Sequence, residues 1–490
     1  MKNDIHDLSL VLDSKVKLLV IESWDEPRVL ETLTGLLIRR GLAGYRWTVS
    51  DGLQRLGVDL GEDELPAPEP DAVLRLIKAD RQPTLYALCD FHPYLDDPRL
   101  VRLLKDIALQ ELPSRPTVVL ISHALRLPPE LQRYSARFKL SLPSEEELLS
   151  IVRDEATRWS QKNGGRRVRT DNRTLQQVVK NLRGLTHAEA RAMARGLIYD
   201  DGAITHEDIP ELNRAKFRLL DLEGVLSFEY ETSRFADVGG LHNLKRWLGE
   251  RQRAFLDGNG RDMPRGVLLV GVQGGGKSLA AKAVAGLWGL PLLRLDFGAL
   301  YNKYYGETER NLREALQLAE QMAPCVLWMD EVEKGLASSD SDGGVSQRVL
   351  GTLLTWMAER RAPVFTVATA NAIDRLPPEL VRKGRFDELF FVDLPDAETR
   401  ADIFRIHLAQ RDLEVSDLDL GELAEASDGF SGAEIEQAVV AAYYAAQARQ
   451  CTLDQAMLLQ ALHETAPLSR VMAEKLEALR AWARGRTVQA

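Results

Sequence analysis

Cysteine is scarce in this chain, which has three cysteines among 490 residues. Cys89, Cys325 and Cys451 stand far apart, with no CxxC pair or metal-ligand spacing, so neither a disulfide scaffold nor a cysteine-based zinc module is expected. Free, buried thiols are predicted instead. The sequence also lacks an apolar run near the roughly 20 residues that cross a bilayer, and it lacks a cationic-then-apolar start. The expectation is a cytoplasmic protein without membrane contact.

An excess of positive charge is missing as well. Lys and Arg number 63 against 73 Asp and Glu, which gives a formal net charge of −10. Because affinity for a phosphate backbone comes mainly from Lys and Arg, this balance argues against a nucleic-acid partner. A basic stretch, Lys162–Arg169, is interpreted as a solvated loop, and contact with an acidic partner or nucleic acid is the alternative.

A glycine-rich phosphate loop is the strongest chemical signal in the sequence. The wholly apolar run Val267–Val270 predicts a strand buried on both faces, and an Ala-rich helical stretch follows Ser278. The loop between them reads G-x-x-x-x-G-K-S, in which glycines let backbone amides approach a polyphosphate and the helix terminus adds positive potential. Lys277 is expected to reach the β and γ phosphates, and Ser278 to ligate Mg²⁺. The residues predicted to hold the nucleotide here are Gly271, Gln273, Gly274, Gly275, Gly276, Lys277, Ser278 and Leu279.

Two further apolar runs end in polar groups suited to phosphoryl transfer. Cys325–Met329 leads directly into Asp330 and Glu331, at the carboxyl end of a predicted strand, where α/β sheets place catalytic groups. Asp330 is suited to hold Mg²⁺, and Glu331 to polarise the attacking water. Val364–Thr369 predicts a third strand, after which Asn371 can hydrogen-bond the water or the γ-phosphate.

In this order, the motifs of the second half resemble the AAA subfamily of AAA+ ATPases. The resemblance implies an α/β fold, a P-loop NTPase whose parallel sheet occupies residues 226–395 and whose helical lid occupies residues 396–490. Asn371 matches the family's sensor 1, while Arg382 and Arg385 match paired arginine fingers that act in trans on a neighbouring subunit's ATP. The further positions that match the family's nucleotide contacts are Asp237, Val238, Gly239, Gly432 and Ala433.

Adjacent tyrosines mark a candidate substrate contact. Tyr304 and Tyr305 lie between Lys303 and Gly306, after the second predicted strand. In AAA motors that thread polypeptide, an aromatic residue flanked by Lys and Gly projects from this position into the pore of the ring, and Tyr304 aligns with it. The resemblance therefore implies that these side chains grip an extended chain. Packing at a subunit interface is the alternative.

The first half contains a degenerate repeat of the second. The hexapeptide Arg126–Leu131 recurs as Arg375–Leu380, and each copy follows an apolar predicted strand. Residues 1–225 are therefore interpreted as a non-catalytic AAA-like α/β domain. Where the phosphate loop should stand, Glu22–Arg28 has no glycine and no Lys but three acids that would repel phosphate, and Asp90 is followed by Phe instead of Glu.

Over its full length the pattern resembles a family of AAA proteins encoded in algal chloroplast genomes and in bacteria, so a compartment like the chloroplast stroma is an alternative location. The resemblance implies a homo-oligomeric ring motor, expected to be a hexamer, that uses ATP and Mg²⁺ to remodel or thread a protein substrate or adaptor. A slow regulatory nucleotide switch that binds partners without threading is the alternative. A nucleic-acid motor or loader is disfavoured by the acidic charge.

Overall fold

The chain folds into two compact units. Unit 1 comprises Met1–Ile151 with Leu185–Ala192, and unit 2 comprises Val152–Gly184 with Met193–Ala490. The domain boundaries predicted after residues 225 and 395 stay predictions. The structure, a computed structural model, describes residues 2–14, 16–57, 69–110, 116–220, 225–229, 238–256, 262–300, 307–336, 344–382, 384–411, 413 and 418–490.

Unit 1 is built on a sheet of six strands in the order β3-β2-β4-β5-β1-β6, parallel except for the hairpin between β2 and β3. The strands are β1 Leu18–Glu22, β2 Gly44–Thr48, β3 Gly52–Arg55, β4 Leu85–Cys89, β5 Thr117–Ser122 and β6 Ser135–Phe138. The helices between them are α1 Lys2–Asp13, α2 Glu26–Arg40, α3 Pro70–Ala79, α4 Pro98–Ala108 and α5 Pro129–Gln132, with a 3₁₀ helix at His92–Asp96. Apolar side chains of α1 and α2 form one core with this sheet and those of α3 and α4 another, so the sheet is covered on both faces.

A helical segment follows that sheet in the chain. Its elements are α6 Glu145–Lys162, β7 Arg169–Thr170, α7 Asn172–Asn181, α8 His187–Asp201, β8 Ala203–Ile204 and α9 Asp208–Leu219. Within unit 2, the buried Lys216 of α9 donates from Nζ to the carbonyl oxygens of Arg183, at 2.5 Å, and Gln321, at 2.6 Å. This one ammonium group therefore ties the residues that follow α7 to the end of a later helix.

Unit 2 is built on a sheet of seven strands in the order β15-β14-β10-β13-β12-β11-β9, parallel except between β9 and β11. The strands are β9 Leu226–Glu229, β10 Gly266–Gly271, β11 Leu292–Leu295, β12 Cys325–Met329, β13 Val364–Ala370, β14 Glu388–Val392 and β15 Val488–Gln489. The three central strands β10, β12 and β13 are buried at every position, which is why they read as unbroken apolar runs in the sequence.

Helices of unit 2 cover that sheet and continue into a lid. Those of the sheet are α10 His242–Leu256, α11 Lys277–Trp288, α12 Phe297–Leu300, α13 Glu307–Gln321, α14 Val332–Leu336, α15 Val345–Glu359 and α16 Pro378–Val381, with a 3₁₀ helix at Ile373–Arg375. Those that follow are α17 Ala397–Ala409, α18 Leu420–Ala426, α19 Gly432–Ala448, α20 Gln455–Glu464, α21 Leu468–Val471 and α22 Ala473–Ala483. The side chains of α17 to α20 pack into an apolar core of their own. The predicted α/β class with a parallel sheet and helical lid is therefore confirmed.

The two sheets repeat one topology. In unit 1 the strands β6-β1-β5-β4-β2 follow each other in the same order as β14-β10-β13-β12-β11 in unit 2. The lid motif repeats as well: Gly184 and Gly429 both have φ +81°, and each precedes a capped helix. Thr186 N–H donates to Glu189 at 2.7 Å, as Ser431 N–H donates to Glu434 at 2.8 Å. The repeat seen in the sequence thus extends to backbone conformation.

The cysteine prediction is correct for two residues and wrong for the third. All three thiols are free, and Cys89 and Cys325 are buried, but Cys451 is exposed. It lies in the turn that closes α19, where its N–H donates to the Ala446 carbonyl at 3.1 Å and its side chain faces solvent. Among the described residues, no helix combines the length and the apolar character that crossing a membrane requires.

Candidate functional site

The loop between β10 and α11 is shaped by its glycines. A Cβ at Gly271 would lie 2.0 Å from the Val392 carbonyl oxygen, because this strand end is pressed against β14. Gly274 and Gly276 have φ +76° and +92°, which other residues rarely adopt. Gly276 caps α11 without contributing a side chain, so the first N–H groups of that helix face the loop unobstructed. Such a helix start is a ready anion site.

Lys277, the first residue of α11, is buried inside this loop. Its Nζ donates to the carbonyl oxygens of Gly271, at 2.9 Å, and Val272, at 2.6 Å. Burial lowers the pKa of Lys277 to about 8, and the nearby carboxylates of Glu333, Asp330 and Glu331 oppose that shift. The buried ammonium is thus paired with neutral carbonyl oxygens. A phosphate carries negative charge and would form stronger, charge-assisted hydrogen bonds with it than these carbonyls do.

The acid pair after β12 is fixed by Thr369 of the neighbouring strand β13. The Thr369 hydroxyl donates to Asp330 Oδ1 at 2.6 Å and accepts from the Glu331 N–H at 3.0 Å. Asp330 Oδ2 also lies 3.3 Å from a guanidinium nitrogen of Arg294 on β11. Glu331 has φ +48°, a strained value for a residue with a side chain, and such values concentrate at functional sites.

Asn371 joins the acids from the end of β13. Its Nδ2 donates to Glu331 Oε1 at 2.9 Å, and its backbone N–H donates to Glu333 Oε1 at 2.8 Å. Lys334 contacts the other carboxylate oxygen of Glu331. The second oxygen of Glu333 is buried, and no group among the described residues forms a hydrogen bond with it. A buried carboxylate oxygen is costly unless a cation or donor meets it, which points to a missing ligand.

Asp330, Glu331, Thr369 and Asn371 line one cavity of about 670 Å³ together with the phosphate loop. Its far wall is formed by the segment before α10, by α17 and by the start of α19, which supply apolar and glycine surface suited to a planar base. The residues of that wall are Val238, Gly239, Gly240, Leu241, Ile403, Ile406, His407, Gly432 and Ala433. His407 Nδ1 lies 3.9 Å from Glu436 Oε1, and burial lowers the pKa of this imidazole.

Most predicted site residues meet at this cavity. Those that line it are Val238, Gly239, Gln273, Gly274, Gly275, Gly276, Lys277, Ser278, Leu279, Asp330, Glu331, Asn371, Gly432 and Ala433. Gly271 contributes the carbonyl that holds Lys277. Arg382 and Arg385 are not on its wall; Arg385 Nη1 donates to the Leu354 carbonyl at 2.9 Å. Asp237, Tyr304 and Tyr305 lie outside the described residues.

Several residues of the site were not predicted from the sequence. Glu333 could have been found from the sequence, since it is a third acid two positions after Glu331. Thr369, Arg294 and His407 reach the site only because strands and helices distant in sequence meet there. Gln489 and Ala490 also line the cavity, since β15 pairs with β14.

The cavity fits a nucleoside triphosphate with Mg²⁺. The start of α11, where Gly276 provides no side-chain cap, and the buried Lys277 suit a polyphosphate. A Cβ at Gly274 would meet Ser431 Oγ at 2.9 Å, so the loop leaves no room for a side chain there. Ser278 and Asp330 offer oxygen donors on the wall, and the unpartnered Glu333 oxygen adds negative charge behind them. Oxygen ligands are those that Mg²⁺ selects.

The equivalent place in unit 1 does not fit a phosphate. After β1, Asp25 caps α2 with its own carboxylate, which accepts from Arg28 N–H at 3.3 Å and from Ala188 N–H at 3.4 Å. An acid thus occupies the helix start that stands open in unit 2, and it repels a second anion.

Comparison with known protein families matches four segments of the chain. Residues 267–394 match the AAA family, the ATPase family associated with various cellular activities, and residues 417–456 match the AAA+ lid domain. Residues 4–140 match the N-terminal domain of SpoVK-like AAA ATPases, and residues 146–223 match the second domain of those proteins.

Whole-chain relatives share this arrangement. An uncharacterized AAA domain-containing protein named ycf46 from Trieres chinensis is 34% identical over 489 residues, which cover 97% of this chain and 96% of that protein. The ycf46 protein of Pyropia yezoensis is 34% identical and covers 98% of each chain. A cell division cycle protein 48 homolog from Archaeoglobus fulgidus is 36% identical over 220 residues, 42% of this chain and 30% of that protein.

Proposed function

The chain belongs to the AAA ATPases, within the family of ycf46-like AAA domain-containing proteins, and on that premise we propose that it hydrolyses ATP in unit 2 and uses the energy to remodel a protein partner. One observation carries the proposal. A single cavity at the start of α11 is lined by side chains that follow three different strands, namely Lys277, Asp330, Glu331 and Asn371.

The two walls of the cavity bind different parts of ATP. The triphosphate lies along the loop from Gly271 to Leu279, where backbone N–H groups and Lys277 neutralise its charge. The base lies against Val238, Gly239, Gly432 and Ala433, with Asp237 in the same segment. Because Gly432 and Ala433 begin the lid helix α19, nucleotide occupancy is coupled to the position of the lid.

Hydrolysis needs a positioned water and charge stabilisation more than covalent chemistry. Glu331 orients the water and accepts its proton, and Asn371 holds the Glu331 carboxylate in place through the 2.9 Å hydrogen bond. Mg²⁺, held by Ser278 and Asp330, would neutralise charge on the phosphates. Lys277 leaves the Gly271 and Val272 carbonyls and turns to the phosphates when ATP enters.

An oligomer completes this site. Arg382 and Arg385 do not line the cavity of their own chain, so their contribution to hydrolysis is in trans, from a neighbouring subunit. Guanidinium groups supplied in this way are worth about 10³–10⁵ in kcat. A homo-oligomeric ring, with six subunits as in the AAA motors that it resembles, is the assembly we propose.

The mechanical element is the segment between α12 and α13. Tyr304 and Tyr305 stand in it, and each tyrosine can grip an extended polypeptide through apolar contact at low entropy cost. The flanking helix α13 packs on the core that carries β12, so a shift at the nucleotide is transmitted to this segment. The substrate is therefore a protein or an adaptor-bound protein.

A second candidate, a slow nucleotide-dependent switch that binds partners without threading, is favoured by a specific contact set. Glu331 is held at one oxygen by Asn371 and at the other by Lys334, while Asp330 pairs with Arg294. Hydrolysis requires Glu331 to release at least one of these partners. If that release is slow, the chain turns over rarely and its nucleotide state acts as a signal.

Steady-state ATP hydrolysis, measured together with oligomeric mass, tests the motor. Wild type should hydrolyse ATP and assemble on it, whereas Glu331→Gln and Arg385→Ala should bind ATP but not turn it over. Glu359→Gln and Arg361→Ala, both at exposed positions in the same unit, are the matched controls and should behave as wild type. A monomer that binds ATP without turnover controlled by Glu331 would exclude the motor and favour the switch.

The threading step has its own test. Tyr304→Ala should leave basal ATP hydrolysis unchanged and abolish processing of a bound protein. The control is Tyr444→Ala, which removes a tyrosine that is 63% exposed on α19. Equal loss of hydrolysis and processing in Tyr304→Ala would instead indicate a tyrosine that packs between subunits.

A further inference from the structure

Three metal-ligating side chains meet at the carboxyl edge of the unit 1 sheet. Asp90 follows β4, His92 begins the 3₁₀ helix after it, and His123 follows β5. One oxygen or ring nitrogen from each of the three lies within 4.8 Å of those of the other two. His92 Nδ1 lies 3.9 Å from Asp90 Oδ1.

Buried Ser122 stands at the centre of this cluster. Its hydroxyl oxygen lies 2.8 Å from His92 Nδ1, 3.4 Å from His123 Nδ1 and 3.4 Å from Asp90 Oδ1. The hydroxyl can donate one hydrogen bond and accept two, and the role of each Nδ1 atom depends on the tautomer of its ring. Ser122 therefore gathers the three metal-ligating side chains around one point.

The cluster is accessible to ions from solvent. The Asp90 side chain is 68% exposed and that of His92 31%. Trp24, exposed at the end of β1, stacks on the His123 ring with centroids 4.6 Å apart and orients it. The His92 and His123 rings meet edge to face, with centroids 5.1 Å apart.

The position of the cluster mirrors the nucleotide site of unit 2. β4 and β5 are adjacent parallel strands in unit 1, as β12 and β13 are in unit 2. Asp90 follows β4 as Asp330 follows β12, and in the repeated sequence Ser122 stands where unit 2 has Asn371. Carboxyl edges of such sheets are where α/β proteins bind ligands. In unit 1 this edge has lost its phosphate loop but gained two imidazoles.

We propose that Asp90, His92 and His123 bind a divalent transition-metal ion of the Zn²⁺ class. Imidazole nitrogen prefers Zn²⁺, Co²⁺ and Ni²⁺, whereas the oxygen-only donors of unit 2 suit Mg²⁺. Two histidines and one carboxylate form a three-ligand set that leaves a position for water or a partner's side chain. Ligand atoms around tetrahedral Zn²⁺ lie about 3.4 Å apart, so small side-chain rotations close this site.

The ion would give the non-hydrolysing unit a ligand of its own. It crosslinks the ends of β4 and β5 and draws His123 together with Trp24 from the end of β1. An exposed metal with an open coordination position offers a docking point for a protein partner that supplies a fourth ligand. This role does not depend on ATP hydrolysis in unit 2.

Titration of the full-length chain with Co²⁺ tests the site, using protein without a histidine tag and in millimolar Mg²⁺, which occupies oxygen-ligand sites. We expect one Co²⁺ per chain, visible absorption typical of nitrogen coordination, and quenching of Trp24 fluorescence. His92→Ala and His123→Ala should each weaken binding at least about 10- to 100-fold, the loss that even outer-shell changes produce. His6→Ala, an exposed histidine of α1 in the same unit, is the matched control and should bind as wild type.

Trp24→Phe separates the two signals. It should remove the fluorescence change and leave the Co²⁺ absorption in place, because Trp24 stacks on a ligand and is not one. Circular dichroism and ATP hydrolysis should be unchanged in all four variants, which shows that each is folded. Co²⁺ binding that persists at full strength in both His92→Ala and His123→Ala, that is lost equally in His6→Ala, or that Mg²⁺ displaces would overturn the proposal.

Discussion

Asn371 Nδ2 lies 2.9 Å from Glu331 Oε1, so the amide that follows β13 donates to the carboxylate that follows β12. The two strands are parallel neighbours whose carboxyl ends meet at one edge of the sheet. The water-orienting acid that we propose is therefore positioned by the strand beside it. Its strained backbone, at φ +48°, is held by a third group, Thr369.

Replacement of Asn371 by Ala should lower kcat about 10- to 100-fold while the ATP dissociation constant changes little. The substitution frees one Glu331 oxygen but leaves the loop around Lys277 intact, so chemistry is affected more than binding. Single-turnover hydrolysis and equilibrium binding of a fluorescent nucleotide measure the two quantities. Asn172→Ala, at an exposed position of α7 in the same unit, is the control. A loss confined to binding would contradict the positioning role.

Nucleotide affinity should fall as pH rises above about 8, the value to which burial lowers the pKa of Lys277. The ammonium binds phosphate, so above that pKa the free protein must take up a proton on binding, and the dissociation constant rises about tenfold per pH unit until Lys277 also titrates in the complex. The same depressed pKa makes the free energy of unfolding rise with pH across this window, because the unfolded chain binds the proton more tightly.

Calorimetry in buffers of different ionisation enthalpy measures that proton uptake directly. We expect close to one proton per nucleotide at pH 9 and little at pH 7. Lys277→Arg is the control, since arginine stays charged throughout and should remove the pH dependence of whatever affinity remains. Equal uptake at both pH values would show that Lys277 keeps its charge in the free protein.

Gly271→Ala should destabilise unit 2 by about 2–4 kcal/mol, because overpacking against backbone cannot relax. The new Cβ would lie 2.0 Å from the Val392 carbonyl oxygen and force β10 away from β14. Gly249→Ala, in helix α10 with nothing within 4 Å of its Cβ, should be neutral or slightly stabilising. Urea unfolding of both variants measures the difference, and similar midpoints would contradict the contact.

Lys216→Ala should lower the free energy of unfolding by about 2–4 kcal/mol, since two buried carbonyl oxygens lose a charged donor. These are the oxygens of Arg183 and Gln321, both within hydrogen-bond distance of Nζ. Arg218→Ala, at an exposed position of the same helix, should change stability by less than about 0.5 kcal/mol. Denaturant titration of the two variants, followed by far-ultraviolet circular dichroism, tests the pair.

Much of the fold was predictable because its central strands are buried on both faces. The run Cys325–Met329 is a strand with the predicted bounds, Val364–Thr369 is extended by one residue at its end, and Val267–Val270 is extended by one residue at each end. The internal repeat predicted a second sheet, which has the same strand order. The exposure of Cys451 was not predictable, because it depends on what packs over a turn.

The phosphate loop and the acid pair after β12 follow from local sequence, because glycine conformational freedom, helix starts and strand ends are properties of consecutive residues. Tertiary structure alone decided that Thr369 braces Asp330, that Glu333 is buried with one oxygen unpartnered, and that Asp90, His92 and His123 converge. These contacts join strands about 30 to 40 residues apart. Only the parallel register of adjacent strands brings such residues to one edge of a sheet.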